Sequence, residues 1–229
     1  MSEELTAALP AGGVAFSDRS DGNMSSVSGR DSERGGEARA RLRERVGLSR
    51  LARGYQVHGD FVASVAEMPA REAETGELEH ADGQATPLPG LGAMVLAADC
   101  LPVAIACKGA VAMVHAGWRG LAAGVLENGV RAVRGLGRPE PHEQLVAVLG
   151  PCAGPCCYEV GPEVHAALDS SLQERAPIDL RAIASRRLIG AGVPEVRALG
   201  GCTICEERFF SHRREGAAAG RQAGVAWLS

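Results

Sequence analysis

The 229-residue chain is 45% hydrophobic and 23% charged, which suffices for one good core or at most two small domains. Its net charge of −4, with acidic and basic residues interspersed, argues against a nucleic-acid-binding protein, and no apolar run reaches the roughly 20 residues of a membrane helix. The beginning, Met-Ser-Glu-Glu, lacks a secretory signal and predicts a cytoplasmic protein, whose seven cysteines would be thiols, metal ligands or nucleophiles.

The first third of the chain alternates between loop-like and short regular segments. Residues 17–37 are polar and rich in Ser, Gly and Asp, which is typical of a mobile loop or arm. Residues 37–47 look like a short Arg-rich helix, and two β-like runs follow at residues 55–58 and 61–66. Residues 67–92 are again loop-like and end in TPLPGLG.

The centre of the chain predicts a hairpin followed by a helix. A buried-strand candidate at residues 94–98 precedes two further β-like runs at 103–107 and 111–115, separated by only three residues with Gly in the turn. Over residues 120–136, hydrophobic side chains recur at helical intervals and would share one broad face. These side chains are Leu121, Val125, Leu126, Val130 and Val133.

The last third predicts strands around one more helix. Residues 145–149, 195–199 and 223–228 read as strands, and Asp179 is placed to N-cap a helix that follows it. The chain shows neither an internal repeat nor a clear interdomain linker. We therefore predict one mixed α/β domain over residues 1–229.

Cys100 and His115 are predicted to meet at the open end of the central hairpin. If residues 108–109 form a two-residue loop, Pro102 faces His115 and Cys100 lies near Gly117, whereas a three-residue loop shifts this register by one. In either register Cys100 and His115 share one end. Opposed residues lie about 5 Å apart and diagonal ones about 7–8 Å, which allows a shared metal ion or a Cys–His pair.

Neighbouring residues extend this chemistry. Zinc accepts imidazole nitrogen and thiolate sulfur, and Asp99 is placed to orient a ligating His or to act as a base. Arg119 lies where a strand passes into a helix, which favours an anion site. The residues alone leave open that His115 is structural, Cys100 a small core residue and Arg119 a solvated helix-start residue.

Eight short motifs occur in order along the chain. They are QVHG (56–59), AADCLPV (97–103), HAGWRG (115–120), GPCAGPCCYEVG (150–161), IDL (178–180), CT (202–203), FFSHRR (209–214) and GRQ (220–222). As an ordered set they resemble the YfiH-like family, long labelled multicopper polyphenol oxidases or laccase-domain proteins. The resemblance covers nearly the whole chain and implies a single α/β domain of sandwiched mixed sheets flanked by helices.

The same resemblance implies a metal site and an activity. It assigns the metal to His58, Cys100 and His115, with zinc as the usual ion and copper as an older claim. Its members phosphorolyse adenosine, inosine and methylthioadenosine, and they deaminate adenosine. We therefore expect a purine nucleoside phosphorylase and adenosine deaminase whose partners are a purine nucleoside and phosphate.

Further site residues follow from the motifs. Catalytic roles are expected for Asp99, Cys100 and Arg119, with Asp99 handling a proton and Arg119 binding phosphate at the helix start. Substrate contacts are expected from Asn23, Arg39, Gln56, Arg213 and Arg221. Asn23 matches the family pattern only in its Asn, Arg39 stands where members have Asn-Arg, and His212 replaces a frequent Tyr.

Two other functions stay open on the sequence. A four-copper laccase needs on the order of ten imidazoles, and the chain has six His, which excludes that enzyme. A mononuclear copper oxidase of phenols remains, with Met113 on the same strand face as His115 as its axial ligand. The third possibility is a non-catalytic protein that binds a metal or a nucleoside.

The remaining cysteines offer a rival site. Cys202-x-x-Cys205 together with Cys152-x-x-x-Cys156 has the residue types of a structural zinc site. The interpretation we prefer on the sequence is packed thiols beside Gly-rich turns, because the usual context of a zinc knuckle is missing.

Overall fold

Two β-sheets packed against each other form the centre of the molecule, which a computed structural model describes for residues 5–71, 78–140, 142–168 and 172–229. The strands are β1 (Thr6–Leu9), β2 (Gly12–Phe16), β3 (Arg50–Ala52), β4 (Val62–Ser64), β5 (Gly83–Thr86), β6 (Leu91–Ala97), β7 (Leu101–Cys107), β8 (Ala110–Ala116), β9 (Val146–Leu149), β10 (Glu159–Val160), β11 (Ala176–Pro177), β12 (Glu195–Ala198) and β13 (Gln222–Leu228). The helices are α1 (Gly35–Arg45), α2 (Trp118–Ala123), α3 (Val125–Gly137), α4 (Pro162–Ala167), α5 (Leu180–Gly190) and α6 (His212–Glu215).

The strands form a sandwich with helices on its outer faces. One sheet has five strands in the order β1-β2-β13-β6-β3, and the other has six in the order β12-β9-β7-β8-β5-β4. Both mix parallel and antiparallel pairs, and a small third sheet pairs β10 with β11. This architecture confirms the predicted single α/β domain of sandwiched mixed sheets flanked by helices.

The central hairpin is buried on both faces. In β8, Val111 and Met113 pack into the space between the two sheets, while Ala112 and Val114 pack towards the helices. Because side chains alternate along a strand, this strand reads as a nearly continuous apolar run. On the outer face of the five-stranded sheet, α1 contributes Leu42 to a separate apolar cluster.

The helix predicted over residues 120–136 is two helices. Gly124 takes a left-handed conformation (φ 95°) that ends α2 and begins α3. The predicted apolar face is nevertheless confirmed, because Leu121, Leu126 and the three valines are all buried against the six-stranded sheet. Burial of Leu121 or Leu126 stabilises the fold by about 1.5–3 kcal/mol for each side chain.

Several predictions for the first third are corrected. Residues 55–58 form an irregular loop, in which only Tyr55 makes an isolated bridge, instead of a strand. Residues 67–92, expected to be loop-like, contain β5 and the start of β6. The sequence did not predict β5 because its residues, GQAT, include polar ones, although the strand is buried between β4 and β8. Part of that stretch, residues 72–77, lies outside the described residues.

The segment at residues 17–37 packs on the domain. It contains short 3-10 turns at Arg19–Asp21 and Ser32–Arg34 and the start of α1, and Met24 is fully buried. Its mobility stays a prediction.

The last third matches its prediction closely. The Asp179 carboxylate accepts a hydrogen bond from the Ala182 N–H at 3.0 Å, which confirms it as the N-cap of α5. The predicted strands correspond to β9, β12 and β13. Among the described residues, no helix has the length and apolarity needed to cross a membrane.

Candidate metal centre and cavity

The hairpin of β7 and β8 has the register of a two-residue turn. Cys107 pairs with Ala110 and Pro102 pairs with His115, as the shorter of the two loop lengths predicts. Cys100 immediately precedes β7, and His115 is the penultimate residue of β8. The two side chains therefore reach the same open end of the hairpin.

His58 completes a three-residue ligand group at that end. The ligand atoms of His58, Cys100 and His115 all lie within 4.8 Å of one another, and the two imidazole rings meet edge to face at 4.9 Å between centroids. Gly117 makes room for them, because a Cβ at that position would lie 3.0 Å from the Cys100 Sγ and 3.2 Å from the His58 ring. One sulfur and two ring nitrogens form a donor set that fits zinc or copper.

A buried carboxylate that the sequence analysis missed organises this site. One oxygen of Asp82 lies 2.8 Å from His115 Nδ1, and the side chain also accepts the backbone N–H groups of Val57, His58 and Gly59. His58 has φ 62°, a conformation that non-glycine residues rarely adopt. Asp82 therefore orients one imidazole directly and holds the strained loop that carries the other.

The charges of the group support one another. Burial would raise the pKa of Cys100, but the charge of His115 and hydrogen bonds from both imidazoles lower it to about 6. Burial would lower the pKa of His115, but the Cys100 thiolate and the Asp82 carboxylate raise it to about 9. The sulfur is thus a thiolate at neutral pH, which is the form that binds a metal.

A cavity of about 470 Å³ opens beside the ligand group. His58, Cys100 and His115 are part of its lining. Among the described lining residues, the cationic side chains are Arg53, Arg119, Arg213 and Arg221, against a single acidic one, Asp99. Its size suits a small organic ligand, and its charge favours an anion.

Three of the predicted arginines line this cavity. The Arg119 guanidinium lies over the Trp118 ring at 4.3 Å, at the beginning of α2. The Arg213 guanidinium lies 5.2 Å from the centre of the Tyr158 ring. Arg221 donates to the backbone carbonyls of residues 219 and 220. These contacts hold the cationic groups against the wall of the cavity.

Gln56 also lines the cavity, but its amide is engaged with a strand. It donates to the Leu96 carbonyl at 2.7 Å and accepts the Leu96 N–H at 2.8 Å. The Gln56 amide thereby makes the pair of hydrogen bonds that a neighbouring strand would make, and it attaches the 56–59 loop to β6.

Asn23 lies behind the wall. Its amide group donates to the carbonyls of Ser28 and Arg30, and its carbonyl oxygen accepts the N–H groups of Ser25 and Arg221. These four bonds use its full donor and acceptor capacity. The residue is not among those that line the cavity.

Arg39 is likewise outside the cavity lining. It is buried and donates to the Met24 carbonyl at 2.6 Å and to the Ser26 hydroxyl at 3.0 Å. Residues 25–28 do line the cavity, so both Asn23 and Arg39 support one of its walls.

Asp99 joins three parts of the chain. Its carboxylate accepts hydrogen bonds from the Thr203 hydroxyl at 2.7 Å, the Ser211 hydroxyl at 3.1 Å and the Arg213 N–H at 2.6 Å. Its backbone has φ 86°, so the residue before Cys100 is a sharp bend. Both oxygens are therefore committed to the neighbouring loops.

Two further expectations change in the structure. Met113, the suggested axial ligand, is fully buried in the core between the sheets, with its sulfur against Gly224. In the rival cysteine set, Cys152 is buried, and burial raises its pKa to about 12. Cys157 takes its place beside the other three sulfurs, Cys156, Cys202 and Cys205.

The sequence analysis also missed several lining residues. Arg53 and Tyr55 reach the cavity from the loop between β3 and β4, and Tyr158 reaches it from the loop between β9 and β10. Tyr158 follows Cys157 within the GPCAGPCCYEVG motif, so the sequence carried a signal for its position. Arg53 and Tyr55 carried no comparable signal.

Comparison with known proteins relates the chain to a family. A family model described as multi-copper polyphenol oxidoreductase laccase matches residues 7–229. A Xylella fastidiosa protein named purine nucleoside phosphorylase is 40% identical over 96% of this chain and 88% of its own length. An Escherichia coli K12 protein named purine nucleoside phosphorylase YfiH is 36% identical over 76% of this chain and 72% of its own length. A crystal structure of a Neisseria meningitidis DUF152 protein superposes with a TM-score of 0.83 at 30% identity over 98% of both chains. The chain therefore belongs to the laccase-domain, YfiH-like family that its motifs resemble.

Proposed function

We propose that this chain is a metal-dependent purine nucleoside phosphorylase acting on adenosine, inosine or methylthioadenosine with inorganic phosphate. One observation carries the proposal: a thiolate and two imidazoles converge in the lining of a cavity that also presents four arginines. The names of the relatives that cover most of this chain support the same reaction class.

His58, Cys100 and His115 would hold the metal, and zinc fits their mixed sulfur and nitrogen donors. A zinc ion held by these three residues would supply a Lewis acid. Asp82 would keep His115 in the correct tautomer and the His58 loop in place.

The arginines would bind phosphate next to the sugar. Arg119 at the start of α2, with Arg213 and Arg221, would hold the dianion against the anomeric carbon of the nucleoside. A phosphate oxygen then forms the new bond to that carbon as the glycosidic bond to the purine nitrogen breaks. The products are the free base, which takes up a proton, and the sugar 1-phosphate.

We assign Asp99 a positioning role instead of the proton transfer expected from the sequence. Its two oxygens accept three hydrogen bonds, one of which fixes the backbone of Arg213. Tyr158 is the better hydrogen-bond donor to a substrate, because it lines the cavity, whereas the oxygens of Asp99 already accept hydrogen bonds from neighbouring loops. Asn23, Arg39 and Gln56 would act on the substrate only through the loops that they hold.

Adenosine deamination belongs to the same proposal. Water would replace the amino group on the purine ring and release ammonia, and the reaction would use the same ligand group. The proposal for this second activity rests on the family resemblance and on three side chains that would hold a zinc ion, which would supply a Lewis acid.

A second candidate is a mononuclear copper oxidase of phenols. The donor set also suits copper, and the laccase family that matches this chain is named for an oxidase activity. Against it stands Met113, whose sulfur is packed in the core instead of being offered as an axial ligand.

Product chromatography on the purified protein tests the proposal. Inosine and phosphate should yield hypoxanthine and ribose 1-phosphate, and adenosine without phosphate should yield inosine and ammonia. Cys100→Ala should lose the metal at this site, and its turnover should fall at least about 100-fold. Cys107→Ala, at the other end of β7, should keep both the metal and the turnover. Full activity in Cys100→Ala would refute the site, and copper with dioxygen uptake on phenols would favour the second candidate.

The phosphate contact has its own test. Arg119→Met should raise the KM for phosphate about 10- to 100-fold, because it removes a charge-assisted hydrogen bond of about 1.5–3 kcal/mol. Arg131→Met, an exposed arginine on α3, is the matched control and should leave that KM unchanged. An unchanged phosphate KM in Arg119→Met would contradict the assignment.

A further inference from the structure

Four cysteines outside the cavity lining converge at one point on the surface. Cys156 and Cys157 come from the loop after β9, and Cys202 and Cys205 come from the loop after β12. Their four sulfur atoms all lie within 4.8 Å of one another. The fold thus brings together two pairs of thiols, and the two pairs are more than forty residues apart in sequence.

The spacing of these sulfurs matches a single tetrahedral ion. A zinc–sulfur bond of about 2.3 Å places the corners of a tetrahedron about 3.8 Å apart. The Cys205 sulfur lies 3.3 Å from that of Cys156 and 3.1 Å from that of Cys157, and no separation exceeds 4.8 Å. The two Cys205 distances are shorter than the ideal value, and the 4.8 Å limit is longer. Four sulfurs this close together suit one shared ion, whereas the cysteines of an iron–sulfur cluster are divided among different iron atoms.

The backbone beside Cys202 is arranged to receive a charged sulfur. The Gly154 N–H donates to the Cys202 sulfur at 3.2 Å. Donors of this kind stabilise a charged sulfur. A Cβ at residue 154 would lie 3.1 Å from the Cys202 Cβ and 3.4 Å from the Cys156 sulfur, so glycine permits this close approach.

Exposure separates these cysteines from ordinary packed thiols. Cys156 and Cys205 are exposed and the other two are partly exposed, whereas core cysteines such as Cys107 and Cys152 are buried. Free cysteines usually behave as small buried hydrophobes. An exposed group of four therefore requires another explanation.

We propose that Cys156, Cys157, Cys202 and Cys205 bind one structural zinc ion. The ion joins the two loops beside the cavity, where the Thr203 N–H already donates to the Cys152 carbonyl at 2.9 Å. One loop carries Tyr158, and the other carries Thr203, whose hydroxyl holds Asp99. The ion has no open position for substrate, and its role is to fix a wall of the cavity.

Metal analysis of full-length variants tests this site separately from the catalytic one. The Cys100→Ala background removes the first site, and in it we expect one zinc per chain. Adding Cys157→Ser should abolish that zinc, whereas adding Cys107→Ala should preserve it. The outcome does not depend on nucleoside turnover, so this proposal can stand if the proposed function fails.

A second measurement covers the case in which the serine variant does not fold. In Cys100→Ala protein, iodoacetamide should leave all four cysteines unmodified until a chelator is added, and cobalt substitution should give the intense sulfur-to-cobalt absorption of a four-thiolate site. Alkylation of Cys156 and Cys205 without chelator would overturn the proposal. Loss of two hydrogens by mass spectrometry, indicating a disulfide, or iron in place of zinc would also overturn it.

Discussion

The two thiol-containing clusters of this protein are built by opposite means. His58, Cys100 and His115 lie at the end of a buried hairpin and are oriented by the Asp82 carboxylate. The four-cysteine cluster lies on exposed loops, and the Gly154 N–H donates to one of its sulfurs. The first cluster borders the cavity and keeps mixed donors, whereas the second is all sulfur.

This difference separates two uses of a metal. Three ligands held by a rigid scaffold leave a position for chemistry, whereas four thiolates close the coordination and contribute to folding. We therefore expect the hairpin site to keep its shape without its ion, and the loop site to depend on its ion. Substitutions that act on only one of the two clusters can test this comparison.

The largest expected effect is at Asp82. Asp82→Ala should lower the free energy of unfolding by about 3–5 kcal/mol, because it leaves the buried His115 ring and three loop N–H groups without their acceptor. Urea denaturation measures this loss, and zinc bound by the four cysteines should be retained. Asp60→Ala removes an exposed carboxylate from the same loop and should have an effect near zero. Equal stability of the two variants would show that the hairpin site is not held by Asp82.

A smaller effect is expected at Gly117. Gly117→Ala places a methyl group 3.0 Å from the Cys100 sulfur, which should weaken metal binding at the hairpin site by about 10- to 100-fold, the usual cost of disturbing ligand orientation. Competition with a chromophoric chelator measures this affinity. Gly135→Ala, where the added methyl meets no neighbour, should instead stabilise α3 by about 0.5–1 kcal/mol. Unchanged affinity in Gly117→Ala would mean that the sulfur has room to move.

The smallest effect probes the connection between the clusters. Thr203→Val removes the hydroxyl that donates to Asp99 and should cost about 1 kcal/mol of stability, while Thr203→Ser keeps the hydroxyl and should cost less. Because Asp99 also fixes Arg213, the valine variant should raise the KM for phosphate without releasing either metal. If both variants behave alike, the hydroxyl does not transmit position between the two sites.

The hairpin could be predicted from local spacing alone. A glycine turn between two apolar runs determines which residues face each other, and it correctly placed Cys100 beside His115. His58 could be added only through the QVHG motif, because no local periodicity relates an irregular loop to a distant hairpin. The break at Gly124 was missed because the apolar pattern continues across it on the same face.

Asp82 and Cys157 show where local reasoning fails. The partners of Asp82 are backbone amides more than twenty residues earlier, and no side-chain pattern encodes such a contact. Cys157 instead of Cys152 completes the sulfur group because the turn after Gly154 redirects the chain, and Cys152 faces the core. Motif spacing identifies which residue types are available, but loop conformation decides which of them meet.

The two-residue turn at residues 108–109 has a consequence for how gene sequences in this family can diverge. Side chains alternate faces along each arm, so one codon inserted or deleted between Cys100 and the turn, or between the turn and His115, would rotate a ligand to the opposite layer. Replacements are tolerated there far more easily than changes in length. Natural length variation should therefore accumulate elsewhere, and the hairpin should keep a constant number of residues in members that retain Cys100 and His115.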